Sequence, residues 1–150
     1  MKTNLLGIAA GVMCFASACC TDGKDPQTAC TKGNATAEEK AAIAAAIDCY
    51  IEGGRQGSSE VARKGFAPTA TMSWYENGQL QSVPIQTLYD GFDAMEGGEV
   101  SYEMTLCEVA GDVAVVRIES QFGDARYTDM FSLVKDREGW KIVSKIYHVK

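Results

Sequence analysis

The sequence has little of what the common metal and phosphate sites require. Its one histidine, His148, lies two residues from the C-terminus and is too isolated for a catalytic dyad or a histidine-based metal site. No Cys-X-X-Cys pair is present, so zinc and thioredoxin chemistry have no support. The Gly53-Gly54 and Gly97-Gly98 pairs lack the context of a phosphate-binding loop. We therefore expect no bound metal and no cofactor.

Positive charge and long apolar runs are also scarce. The 150 residues include 14 Lys and Arg against 20 Asp and Glu, a net charge of −6. This composition argues against a nucleic-acid-binding surface, which needs a dense basic stripe to contact phosphates. No run reaches the roughly 20 apolar residues that a transmembrane helix needs. With 46% hydrophobic and 23% charged residues, the sequence indicates one globular domain rather than a disordered chain.

The N-terminus has the pattern of an export signal. Lys2 precedes an uncharged stretch that ends in the small residues Ala16-Ser17-Ala18. A positive start, an apolar segment and a small-x-small end are typical of a secretory signal peptide. We predict that residues 1–18 are such a signal.

Cys19 follows the predicted signal directly. A cysteine in this place resembles the bacterial lipoprotein signal, in which the thiol is acylated, although Ala16 stands where such signals usually carry Leu. We predict lipidation at Cys19 and a lipid-anchored flexible tether over residues 19–35, with the anchor as the only membrane contact. The protein would then be exported, either as a bacterial membrane-anchored lipoprotein or, after plain secretion, as a periplasmic protein.

Four of the six cysteines remain after the signal and the lipidated position are set aside, namely Cys20, Cys30, Cys49 and Cys107. Four cysteines allow three pairings, and the sequence does not choose among them. A Cys20–Cys30 bond would close a tail loop, and a Cys49–Cys107 bond would join the first helix to a strand. The alternative is that Cys49 and Cys107 are small buried hydrophobic residues.

The domain is predicted over residues 36–150, with helices before strands. Thr36 and Glu39 form a capping-box pattern before a helix expected over residues 37–53, which Gly53 and Gly54 loosen or end. Ser58 is expected to cap a short second helix. Asn77-Gly78 predicts a hairpin, and a third helix follows Pro84. Four long strands joined by short turns then predict an antiparallel meander and an α+β class.

The order α-α-β-β-α-β-β-β-β resembles the nuclear-transport-factor-2-like (NTF2-like) superfamily. The resemblance rests on Tyr-Ile-Glu-Gly-Gly at residues 50–54 with Phe-Ala-Pro-Thr-Ala at 66–70. It rests also on Asp-Met-Phe-Ser-Leu-Val-Lys at 129–135 with Gly-Trp-Lys-Ile-Val at 139–143. These segments resemble most the lumazine-binding-like (SnoaL-like) group. The resemblance implies a cone in which a curved antiparallel sheet packs on the N-terminal helices and leaves a pocket.

The resemblance also suggests which residues face the pocket. Isomerase-like relatives use two acidic donors and a general base; Tyr50 and Asp129 match the donors, but Trp74 occupies the position of the base. Trp has no usable base at neutral pH. We therefore assign no catalytic residue, and predict that Tyr50, Trp74, Asp129 and Tyr147 bind a small aromatic or apolar ligand. Each also has a structural interpretation, as a core residue or, for Asp129, as the partner of a backbone group or an Arg.

Three functions follow from this reasoning. The first is a non-catalytic small-molecule-binding or scaffold domain. The second is an isomerase, cyclase or dehydratase that uses Tyr50 and Asp129. The third is a homodimeric interaction module that associates through the outer face of the sheet. The lysines of the last strand, Lys141, Lys145 and Lys150, are interpreted together with Lys135 as a mildly basic, solvated edge.

Overall fold

Three helices and six strands make up residues 34–150, the part of the chain that the computed structural model describes. In chain order they are α1 (Ala37–Gln56), α2 (Ser59–Arg63), β1 (Phe66–Glu76), β2 (Gln79–Pro84), α3 (Gln86–Asp93), β3 (Val100–Ala110), β4 (Val113–Phe122), β5 (Ala125–Asp136) and β6 (Gly139–Val149). This architecture confirms the predicted α+β class and element order. The predicted signal peptide, Cys19 and nearly all of the predicted tether lie outside the described residues.

The first helix begins as predicted and ends later than predicted. Thr36 and Glu39 form the reciprocal capping box, and the helix ends at Gly57, whose φ of 62° is left-handed. Gly53 and Gly54 do not end α1. They lie inside the helix, where neighbouring side chains approach the backbone too closely for a Cβ. A Cβ at Gly53 would lie 2.6 Å from that of Ala62, and one at Gly54 would lie 2.3 Å from the ring of Phe122.

The six strands form one open sheet in the order β2-β1-β6-β5-β4-β3. Strands β3 to β6 form the predicted antiparallel meander, and Asn77 and Gly78 turn the predicted hairpin between β1 and β2. The sheet is mixed rather than wholly antiparallel, because β1 pairs with β6 in parallel. The chain crosses through α3 to the far edge of the sheet and returns strand by strand until β6 lies beside β1.

Bulges bend the sheet around its inner face. The register shifts between Met104 and Leu106 on β3, and between Ser132 and Leu133 where β5 pairs with β6. An extra residue on one strand increases the local twist and bends that strand. The hollow that results faces α1, which packs against β3 and β6.

The core lies between α1 and this inner face. Ile43 and Ile47 of α1 and Ile118, Phe131 and Ile142 of the sheet are at most 2% exposed. Burial of such a side chain contributes about 1.5–3 kcal/mol relative to leaving it in water. The apolar stripe of α1 thus holds the helix across the sheet and positions Tyr50 on its underside.

Asn34, the first described residue, contacts the domain, because its side-chain oxygen accepts a hydrogen bond from the backbone N–H of Val109 at 2.8 Å. Ala35 packs against the core. Within residues 34–150, no helix is both long and apolar enough to cross a membrane.

The two described cysteines are not joined to each other. Cys49 and Cys107 are both free thiols, and Cys107 is buried. The alternative interpretation, a small buried hydrophobic residue, fits Cys107, whereas Cys49 is only half-buried. The other four cysteines of the chain lie outside the described residues.

Candidate functional site

A cavity of about 380 Å³ opens between α1, α3 and the inner face of the sheet. Its wall is mostly apolar and aromatic, as expected where a curved sheet leaves more space than its side chains fill. The residues that line it are Tyr50, Met72, Thr87, Leu88, Gly91, Phe92, Met95, Phe122, Tyr127, Lys145 and Tyr147.

Tyr50 contributes the roof of the cavity from α1. Its ring lies 5.5–6.2 Å, between centroids, from the rings of four phenylalanines, Phe66, Phe92, Phe122 and Phe131. Burial raises the pKa of Tyr50 well above its usual value, and the charge of Asp129 raises it further. The hydroxyl therefore stays protonated and can donate a hydrogen bond to a ligand.

A buried ion pair between Lys145 and Asp129 forms the polar part of the site. Lys145 Nζ donates to Asp129 Oδ1 at 2.6 Å, and Ser120 Oγ donates to Asp129 Oδ2 at 2.5 Å. Lys145 is 3% exposed and Asp129 is 0% exposed. Both carboxylate oxygens are thus satisfied, which is what makes a charge tolerable at this depth.

The amine of Lys145 lies among the tyrosines of the cavity. Its Nζ is 4.1 Å from the ring centroid of Tyr147 and 5.4 Å from that of Tyr50, both within cation–π range. Burial lowers the pKa of Lys145, and the neighbouring Asp129 carboxylate offsets part of that change. The site therefore holds an amine that is easier to deprotonate than a lysine in water.

Lys145 is the residue that sequence reasoning missed. We interpreted it as part of a solvated edge with Lys141, and that prediction is wrong. Val143 is an extra residue on β6, because Ser132 pairs with Ser144 whereas Leu133 pairs with Ile142. This bulge shifts the alternation of β6, so that Lys145 turns inward while Lys141 does not.

A signal for this inward position is present in the sequence. Asp129 is a charged residue in a strand whose alternate positions, Phe131 and Leu133, are large and apolar. A charge on the apolar face of a strand needs a partner. The structure supplies that partner from Lys145 of the adjacent strand.

The remaining predicted site residues occupy different places. Tyr147 lines the cavity, and Asp129 lies behind Lys145. Trp74 is not among the residues that line this cavity; its ring stacks on Tyr147 at 5.5 Å, and its indole N–H donates to Glu76 at 3.3 Å. The structure thus brings Tyr50, Asp129 and Tyr147 together around Lys145, with Trp74 supporting Tyr147 from the side. Residues 34–150 contain no cluster of three or more groups suited to hold a metal ion.

Residues 38–148 match the family described as "Putative lumazine-binding". The chain belongs to this family. The match covers all but the first residue of α1 and the last residue of β6.

Proteins similar to this chain share its fold, but they are described in different ways. An NTF2-like protein of unknown function from Shewanella baltica is 32% identical, with a TM-score of 0.71 over 78% of this chain and 98% of that one. A second, from Methylobacillus flagellatus, is 25% identical, with a TM-score of 0.70 over 78% of this chain and 96% of that one. The protein named aldolase FrzH from Cladobotryum sp is 32% identical over 116 residues, which are 75% of this chain and 93% of that one.

Proposed function

We propose that this NTF2-like domain binds a small, flat organic molecule in the cavity beneath Tyr50. The observation that carries the proposal is the wall of that cavity, which is mostly apolar and aromatic and contains one buried amine, Lys145. The rings of Tyr50, Phe92, Phe122 and Tyr147 suit an aromatic or apolar body. The amine of Lys145 and the hydroxyl of Tyr50 suit a carbonyl oxygen or a ring nitrogen.

The placement of the ion pair supports a role in recognition. Burying two charges costs more than burying apolar side chains of the same size, so a pair at the wall of a cavity marks a candidate functional position. The description of the family points to the same class of ligand, since lumazine is a flat heterocycle that carries carbonyl groups.

A substitution at Gly91 tests binding directly. Gly91 lines the cavity from α3, and a Cβ there would meet no atom within 4 Å. Gly91→Trp should place a large ring at the mouth of the cavity and weaken the binding of lumazine or naphthaldehyde, measured by isothermal titration calorimetry, by about tenfold or more, equivalent to 1.4 kcal/mol. Gly91→Ala is the matched control and should bind as the parent protein does. Equal affinities in both variants, or no binding of either compound by the parent protein, would contradict the proposal.

A second candidate function is an enzyme that acts on carbonyl compounds. The relative named as an aldolase shares 32% identity across nearly its whole length. A buried amine with an adjacent carboxylate is chemistry that such a reaction can use. An isomerase mechanism fits less well, because Trp74 stands at the position of the base and Asp129 is already engaged by Lys145 and Ser120.

The outer face of the sheet favours self-association as a further property. Val115, Met130 and Ile146 project from neighbouring strands there and are 42–47% exposed. Contiguous apolar side chains on a sheet face are typical of an interface. A homodimer through this face should dissociate in the Met130→Asp variant, measured by analytical ultracentrifugation, and a monomeric parent protein would contradict it.

We also propose export and lipid anchoring, on the pattern of residues 1–19. The Cys19→Ser variant should leave the membrane fraction of a bacterial host when fractions are compared by immunoblot. Cys20→Ser is the matched control and should stay with the membrane. A Cys19→Ser protein that remains membrane-bound would contradict the anchor.

A further inference from the structure

We propose that Lys145 is a nucleophile that forms an imine with the carbonyl carbon of an aldehyde or ketone held in the cavity. The inference rests on the proposed ligand cavity and names the class of compound that it would take. It assigns a covalent role to a residue that the proposed function uses only as a hydrogen-bond donor to the ligand.

The position of the amine is the first argument. Of the lysines in the described part of the chain, Lys145 is the buried one, and it lines the cavity. Its carbon chain is enclosed between α1 and the sheet, so the amine is held where a ligand in the cavity would contact it. Lys141, on the same strand, instead reaches the backbone carbonyl of Lys64 at 3.0 Å on the surface.

The proton acceptor is the second argument. A lysine attacks a carbonyl only as the neutral amine. Asp129 Oδ1, 2.6 Å from Nζ, can receive the proton, while Ser120 holds the other oxygen in place. Moving the proton converts a buried ion pair into two neutral groups, which an apolar cavity tolerates better than two charges. Burial also lowers the pKa of Lys145, which favours the same form.

The bond changes balance without any further reactant. The ammonium of Lys145 gives one proton to Asp129, and the nitrogen lone pair forms a C–N bond as the π electrons of the carbonyl move to its oxygen. A proton passes from the nitrogen to that oxygen and gives a carbinolamine. Asp129 then returns its proton to the hydroxyl group, the C–O bond breaks, and water leaves. The products are one water and an iminium ion beside the Asp129 carboxylate.

Tyr50 supports the step from the opposite wall. Its ring centroid lies 5.4 Å from Nζ, and its hydroxyl stays protonated because the ring is buried. A hydroxyl there can donate to the carbonyl oxygen as negative charge develops on it.

Reductive trapping tests the inference on the unmodified protein. Benzaldehyde and sodium cyanoborohydride would be added near neutral pH, and the benzylated lysines would be located by peptide mapping. Lys145 should be labelled about tenfold faster than Lys141, because the cavity holds the aldehyde next to its amine and Asp129 can take up the proton. Labelling of Lys145 no faster than that of Lys141 would overturn the inference, and this measurement needs no variant to fold.

Two further measurements separate this inference from the proposed function. The double variant Asp129→Asn with Lys145→Met removes both charges, and it should lose the fast label while Lys141→Arg keeps it; retention of the fast label would overturn the inference. Lumazine binding is measured alongside by calorimetry. Binding with no Lys145 adduct would refute the imine and leave the proposed function standing, whereas no binding and no adduct would refute both.

Discussion

Each face of the sheet formed by β5 and β6 departs at one place from the usual arrangement of a globular protein. The inner face buries the charges of Asp129 and Lys145, and the outer face exposes the apolar side chains of Met130 and Ile146. Met130 and Ile146 are directly paired across the two strands. Buried charge and exposed apolar surface are the two departures that carry information about function. The contrast is the reason for proposing a ligand site inside and a contact surface outside.

The largest expected effect comes from breaking the inner ion pair. Asp129→Ala leaves the ammonium of Lys145 buried without a partner and should lower the free energy of unfolding by about 3–5 kcal/mol, measured by urea denaturation. The double variant Asp129→Leu with Lys145→Met should recover most of that loss, because no unpaired charge remains. A loss below about 1 kcal/mol in the single variant would mean that the pair is not desolvated.

Two apolar residues of β4, one on each face, allow the stability contributions of the two faces to be compared without changing a charge. Ile118 is 0% exposed on the inner face, and Val115 is 43% exposed on the outer face. Ile118→Ala should cost about 2–5 kcal/mol of unfolding free energy, because it leaves a cavity in the core. Val115→Ala should change the stability of the monomer by about 0.5 kcal/mol or less. Similar losses in thermal or urea unfolding of the two variants would show that the outer face is also covered.

The smallest effect is expected for a charge cluster on the outer face. Hydrogen bonds from Lys150 and Thr128 lower the pKa of Glu119 from 4.5 to about 2. The stabilising contribution of Glu119 is therefore complete above pH 4.5 and is lost as the pH falls towards 2.

Salt distinguishes this cluster from the inner pair. Glu119→Gln should cause a small loss of stability that disappears in high salt, because exposed charges are screened. The loss in Asp129→Ala should persist in the same buffer, since buried charges are screened much less. Urea denaturation at low and high ionic strength measures both, and equal salt dependence would contradict the contrast between the faces.

Much of the fold could be predicted because local chemistry specifies it. The capping box of Thr36 and Glu39 starts α1, Asn77-Gly78 turns the first hairpin, and short turns produce the meander. The end of α1 could not be predicted in this way. The local sequence around Gly53 and Gly54 predicts a helix end. In the structure both residues lie inside the helix, where the close approach of Ala62 and Phe122 leaves no room for a Cβ.

The site was predicted only in part, for a reason of register. Tyr50 and Tyr147 line the cavity. Asp129 does not line it, but contacts Lys145, which does. The buried position of Lys145 was not predicted, because strict alternation of side chains along β6 would place Lys145 on the outer face together with Lys141. One extra residue, Val143, reverses that alternation, and pairing between strands decides where such a residue is accommodated.

The sequence by itself determined the α+β class and the apolar stripe that carries Tyr50, since these depend on periodicity, capping and turn chemistry within short segments. Only the tertiary structure decided that β1 runs parallel to β6 and that Lys145 meets Asp129. Both depend on contacts between residues far apart in the chain. The free energy of those contacts depends on the packing of the whole sheet against α1.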